Sequence, residues 1–118
     1  MRLLVVDDDL SVGKLLRAIF ETEGWEVDYA ASGDECLTMV AAAPPDVIVL
    51  DNMMPGLTGI DTARRLRGSG FDKPIVLFSA YLGPDLQTAV RELDLTSVSK
   101  VDTPAGIGII ESLGSPQA

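Results

Sequence analysis

Short runs of aliphatic and β-branched residues alternate along the chain with longer stretches whose apolar residues recur every three or four positions. Leu3-Leu4-Val5-Val6 and Val47-Ile48-Val49-Leu50 are continuous apolar runs bounded by polar residues. That is the pattern of a strand buried on both faces. Strands are predicted near 2–6, 25–30, 46–50, 74–79 and 95–99.

Helical periodicity fills the intervals. A first helix is predicted from Leu10 to Glu23, with Val12, Leu15, Leu16, Ile19 and Phe20 on one face and Gly24 ending it. A second begins at Ser32, where Glu35 three positions on is the mark of a capping box, and Pro44-Pro45 stops it. A third follows Thr58, with Ile60, Ala63 and Leu66 inward; Arg64, Arg65 and Arg67 face water or form a docking patch. Gly68 and Gly70 close it. A fourth starts at Gly83-Pro84 and buries Leu86, Ala89, Val90 and Leu93. A fifth follows Thr103-Pro104, with Ile107, Ile110 and Leu113 as its stripe. Gly106 and Gly108 each cost a helix about 1 kcal/mol relative to alanine, so this one is expected short or frayed.

Five strand–helix alternations predict an α/β fold: a doubly wound parallel sheet of five strands, covered on both faces and joined by right-handed crossovers. At 118 residues the chain suits one domain, placed at 1–113, with 114–118 as a tail or the start of a linker. No internal repeat is visible.

Charge and composition then narrow the function. A net charge of −9 argues against nonspecific nucleic-acid or membrane partners and leaves room for a divalent cation or a basic protein patch. The absence of histidine removes histidine acid/base chemistry and histidine metal sites. Cys36 is single, so no internal disulfide forms, and it reads as a small apolar filler in a helix. Trp25 reads as partial packing, and Met54 as packing under a loop, with Met53 beside it. No secretory leader is evident and no apolar run approaches the ~18 residues of a membrane span, so a cytoplasmic location is expected.

The candidate chemistry lies at strand ends. Strand one runs into Asp7-Asp8-Asp9, strand three into Asp51, strand four into Ser79 and strand five into Lys100. In such a sheet, sites form beyond the carboxyl ends of the strands. Asp9 suits the start of the first helix. Taken singly, Asp7 and Asp8 would be helix-capping residues, Ser79 a small strand-end residue and Lys100 a solvated lysine. Taken together, clustered carboxylates call for a hard cation such as Mg²⁺. A lysine and a hydroxyl beside one carboxylate then make a phosphoryl-transfer site with the carboxylate as nucleophile.

The chain resembles the receiver domain of bacterial two-component response regulators over residues 2–113. The resemblance rests on Asp7-Asp8, on Asp51-Asn52-Met53-Met54-Pro55-Gly56-Leu57-Thr58-Gly59 as a D-x-x-M-P-x-x-x-G segment, on Ser79-Ala80 and on Lys100. It implies a flavodoxin-like (βα)5 fold, like that of the chemotaxis regulators, with strand order 2-1-3-4-5. It implies that Asp51 accepts a phosphoryl group from a sensor histidine kinase, a phosphotransfer protein or a small phosphodonor. Mg²⁺ would be bound by Asp8, Asp51 and the backbone carbonyl of Met53, with Asp7 acting through water. Ser79, followed by the small Ala80, and Lys100 would hold the phosphoryl oxygens. Such a domain phosphorylates and dephosphorylates itself without being a turnover enzyme. It signals to a downstream effector or a fused output domain, or through a phosphorylation-dependent dimer.

The later strands depart from that family. Val101 follows Lys100 where proline is usual, so a cis bond is not expected there. Ser97 stands where an aromatic switch residue is usual, and Glu92-Leu93-Asp94-Leu95-Thr96 lacks the expected glycine turn. Tyr81 is the candidate for replacing some of the lost coupling. These departures leave a second reading open, a protein-interaction module that works without phosphorylation. An aspartate-based phosphohydrolase fits poorly, because Met53 stands where its second aspartate belongs. A flavin site fits poorly as well, because aspartates after strand one repel phosphate.

Overall fold

The computed structural model describes residues 1–54, 56–79, 83–99 and 103–114. The five predicted strands form as β1 (Arg2–Val6), β2 (Glu26–Ala30), β3 (Val47–Asp51), β4 (Ile75–Ser79) and β5 (Thr96–Ser99). They pair in parallel in the order 2-1-3-4-5. The helices between and after them are α1 (Leu10–Glu21), α2 (Gly33–Ala42), α3 (Gly59–Gly68), α4 (Pro84–Glu92) and α5 (Thr103–Gly114). The expected fold class, strand order and element count all hold.

Side-chain alternation divides the interior in two. Leu4, Val6, Ile48, Leu50, Ile75 and Leu77 pack with residues of α2, α3 and α4. Leu3, Val5, Val47, Val49, Val76 and Phe78 pack with Leu16 and Phe20 of α1 and Ile110 of α5. The central strands are apolar on both faces because both faces are covered, which explains their unbroken runs. Cys36 is fully buried among the first group, as a small apolar residue should be. Trp25 is partly buried against Phe20, ring centroids 4.8 Å apart.

The starts of α1 to α4 match their sequence signals. Asp9 caps α1, accepting from the Ser11 N–H at 3.0 Å. Ser32 caps α2 through the Glu35 N–H at 3.1 Å, but the reciprocal bond of a capping box is shifted: Glu35 accepts from the Ala31 N–H at 3.2 Å. Thr58 caps α3 through the Asp61 N–H, and Gly83 precedes Pro84 in the first turn of α4.

The helix ends carry most of the corrections. Helix α1 stops at Glu21, two residues before the expected end, because the chain turns through a Schellman motif. There Trp25 N–H bonds Phe20 O, Gly24 N–H bonds Glu21 O, and Gly24 takes the left-handed conformation at φ +86°. Gly70 does the same after α3 at φ +98°, with Phe71 N–H on Leu66 O and Gly70 N–H on Arg67 O. Helix α4 closes in the same way, with Leu95 N–H on Val90 O and Asp94 N–H on Arg91 O. Here the left-handed residue is Asp94, φ +53°, so the turn forms without its glycine.

Arg67 is half-buried and bonded to backbone rather than free in water. Its guanidinium donates to the carbonyls of Leu93, Phe71, Lys73 and Asp94 at 2.8–2.9 Å. Arg64 and Arg65 are exposed, as expected. Helix α5 is not short, at 12 residues, and Thr103, expected as its cap, is its first residue. Gly106 faces the sheet: a Cβ there would lie 2.5 Å from the Phe78 ring and 3.0 Å from Val98 Cγ1. The glycine that weakens the helix by propensity is what lets the helix approach β4 and β5. Among the described residues, no helix is long and apolar enough to cross a membrane.

Candidate metal centre

The sheet brings the acidic strand ends together. β1 and β3 are neighbours, so Asp7 and Asp8, just past Val6, stand beside Asp51, the last residue of β3. One carboxylate oxygen from each of Asp7, Asp8 and Asp51 lies within 4.8 Å of the others. Asp7 and Asp51 are buried, 4% and 3% exposed, while Asp8 opens to solvent. Three hard oxygen donors, two of them buried, match the ligand preference of Mg²⁺.

Local bonding fixes these groups. Asp7 N–H donates to Ala30 O at 3.1 Å, and Asp7 Oδ1 accepts from the Asp9 N–H at 2.9 Å. The loop leaving Asp51 is stapled to α3 by a residue that sequence reading passed over. Asn52 Oδ1 accepts from the Ile60 N–H at 3.1 Å, and Asn52 O accepts from the Gly59 N–H at 3.2 Å. Asn52 lies seven residues before α3, too far for a local capping pattern to mark it in the sequence. Met54 tucks beneath the loop at 7% exposure, whereas the Met53 side chain stands out at 71%. Asp8, Asn52, Met53, Met54 and Thr58 line a shallow depression of about 370 Å³ beside the carboxylates.

Ser79 ends β4 and is buried, on the strand adjacent to β3 and one residue past Phe78, the register partner of Asp51. The sheet therefore carries it to the same edge as the carboxylates. Ser97 pairs with Leu77 on β5 and is half-buried. It lies two residues short of that edge, where Ser99 faces Ser79. Ala80, Tyr81, Lys100 and Val101 lie outside the described residues, and so do the expectations placed on them.

A model of the response regulator receiver domain matches residues 3–101. The chain belongs to that family. Response regulator MprA of Mycobacterium tuberculosis is 46% identical over 80 residues, 68% of this chain and 35% of MprA; MprA of Mycobacterium avium matches to the same extent. The matched region is about a third of these curated relatives' length. Among solved structures, response regulator TrrA of Thermotoga maritima, in complex with Mg²⁺-BeF, is 29% identical with a TM-score of 0.81, covering 95% of this chain and 97% of that one. A putative response regulator of Chloroflexus aurantiacus is 28% identical with a TM-score of 0.83, covering 95% of each chain. Chemotaxis protein CheY4 of Vibrio cholerae, 24% identical with a TM-score of 0.84 over 95% of this chain and 97% of its own, shares the fold. This receiver domain is thus a signalling module rather than an enzyme of the usual kind.

Proposed function

We propose that this receiver accepts a phosphoryl group on Asp51 and switches partner binding in response. The observation that carries the reading is the convergence of Asp7, Asp8 and Asp51, with Asp51 buried at the end of a central strand. Asp8, Asp51 and the Met53 backbone carbonyl hold Mg²⁺, and Asp7 holds it through water. When bound, the ion would supply positive charge against the carboxylate cluster and the incoming phosphoryl group. The Asp51 carboxylate oxygen forms the new P–O bond as the P–N bond of a donor phosphohistidine breaks, and the histidine nitrogen regains a proton. Ser79 and Lys100 hold the phosphoryl oxygens, and the small Ala80 leaves room for Ser79 to move. The Mg²⁺-BeF complex of the related TrrA supports this assignment.

The donor is a sensor histidine kinase, a phosphotransfer protein or a small phosphodonor, and the setting is the cytoplasm. The recipient is an effector protein, a fused output domain or a second phosphorylated copy; a fused domain accords with the greater length of the MprA relatives. Residues 1–113 form the receiver, and 114–118 a tail or linker start. Incubation with Mg²⁺ and a small phosphodonor adds one phosphoryl group by mass spectrometry, and Asp51→Asn abolishes the addition. No addition to the wild-type chain would overturn the reading.

A second reading is a phosphorylation-independent interaction module. The half-buried Ser97 on β5, in place of an aromatic switch, is the feature that favours it. Partner affinity unchanged by beryllofluoride would select it.

A further inference from the structure

We propose that Arg67 is a latch that holds the α4–β5 turn in shape and ties it to the end of α3. The proposal concerns the fold's mechanics and does not depend on the phosphoryl chemistry above. Three helices end in the same hydrogen-bonded turn; two supply glycine at the left-handed position, and α4 supplies Asp94. A side chain bearing Cβ is disfavoured in that conformation, and aspartate tolerates it only better than most. Bonds from outside the turn would offset that cost.

Arg67 is placed to do so. Its Nε–H donates to Leu93 O at 2.8 Å, and Nη2–H donates to Asp94 O at 2.9 Å. Both carbonyls lie at the end of α4, where helix carbonyls lack partners within the helix and where positive charge complements the dipole. The other arm of the same guanidinium donates from Nη1 to Phe71 O at 2.9 Å and Lys73 O at 2.8 Å. One rigid fork therefore joins the loop before β4 to the turn before β5. A lysine cannot reproduce this, because it offers a compact point charge rather than a planar fork.

The consequence reaches the acidic edge. The first turn of α3 is bonded to Asn52 beside Asp51, and its last turn carries Arg67. Helix α3 thus runs as a strut from the acidic site to the α4–β5 turn. Releasing Arg67 frees that turn while leaving the central strands in place.

The test is residue-resolved amide hydrogen exchange on the full chain, unphosphorylated. Arg67→Gln should speed exchange at Asp94 and Leu95 by about tenfold or more, the loss of several charge-assisted bonds, while Val5 and Val49 change much less. Arg67→Lys should give a smaller shift of the same pattern and serves if the glutamine variant does not fold. In an Asp94→Gly background, where the turn no longer needs holding, the Arg67 substitution should accelerate Leu95 markedly less. Uniform acceleration across all strands, no local acceleration, or the same acceleration in both backgrounds would each overturn the latch.

Discussion

Gly59 packs so closely on Asp51 that a Cβ at position 59 would lie 2.5 Å from the Asp51 carbonyl oxygen and 2.8 Å from Asn52 Cα. Both neighbours are backbone, which cannot rotate away as a side chain can. Gly59 is needed for the space it leaves; its conformation is ordinary helix. Gly59→Ala is expected to push α3 off the end of β3 and to destabilise the domain by about 1–3 kcal/mol, the usual cost of overpacking. Urea denaturation measures the loss. Because the displaced atoms belong to Asp51 and Asn52, the variant should also bind Mg²⁺ more weakly, read by titration under native conditions.

Metal binding should act on stability in two opposed ways. Without a divalent ion, Asp7, Asp8 and Asp51 repel one another across less than 4.8 Å. Asp8→Asn should therefore raise the stability of the metal-free domain, by about 1 kcal/mol. With Mg²⁺ the order reverses: at ten times its dissociation constant the ion adds about 1.4 kcal/mol to the wild type. Thermal melts with and without Mg²⁺ should show a rise in midpoint for the wild type and little rise for Asp8→Asn or Asp51→Asn. Equal Mg²⁺ responses in all three would exclude these carboxylates as the site.

The strands and the acidic site were legible because one signal carried both. A strand buried on both faces writes an unbroken apolar run, so its end is sharp, and an aspartate there marks the sheet edge. Asp7, Asp8, Asp51 and Ser79 were placed by that logic alone. Arg67 was not, because helical spacing sets only the direction in which a side chain leaves the helix. An arginine near a helix end can still reach beyond it to loop carbonyls. Asp94 hid for a related reason: glycine is the usual mark of a left-handed turn, and here the turn is held from outside. Gly106 was misjudged because propensity counts the helix alone and omits the Phe78 ring against which α5 closes.

Cys36 should behave as a reporter of unfolding rather than as a reactive thiol. It is fully buried, and burial pushes its thiol up to about 12. The thiolate, which is the reactive form, is therefore scarce at neutral pH in the folded state. Modification by a thiol reagent should be slow, and its rate should rise with urea in step with the loss of structure. Fast labelling of the native protein, independent of denaturant, would contradict this.

Glu23 and Glu111 give the stability a small dependence on pH with a definite sign. Glu23 lies just past α1 and Glu111 on α5, and a hydrogen bond between the two carboxyl groups requires that one carry a proton. That bond, with lesser contributions from desolvation and from the charge of Glu111, holds the Glu23 carboxyl above its usual range. The folded state thus keeps a proton that the unfolded chain has already released. Between the unfolded and folded values the folded state binds more protons, so this contribution is complete below the interval and is lost as pH rises through it. Glutamine at position 111 can donate to a Glu23 carboxylate without any shared proton. Glu111→Gln should therefore return the Glu23 titration, followed by NMR at its carboxyl carbon, toward the ordinary glutamate range. It should also flatten the difference in melting temperature between mildly acidic and neutral pH relative to the wild type. An unchanged Glu23 titration in the variant would show that the two carboxyl groups do not share a proton.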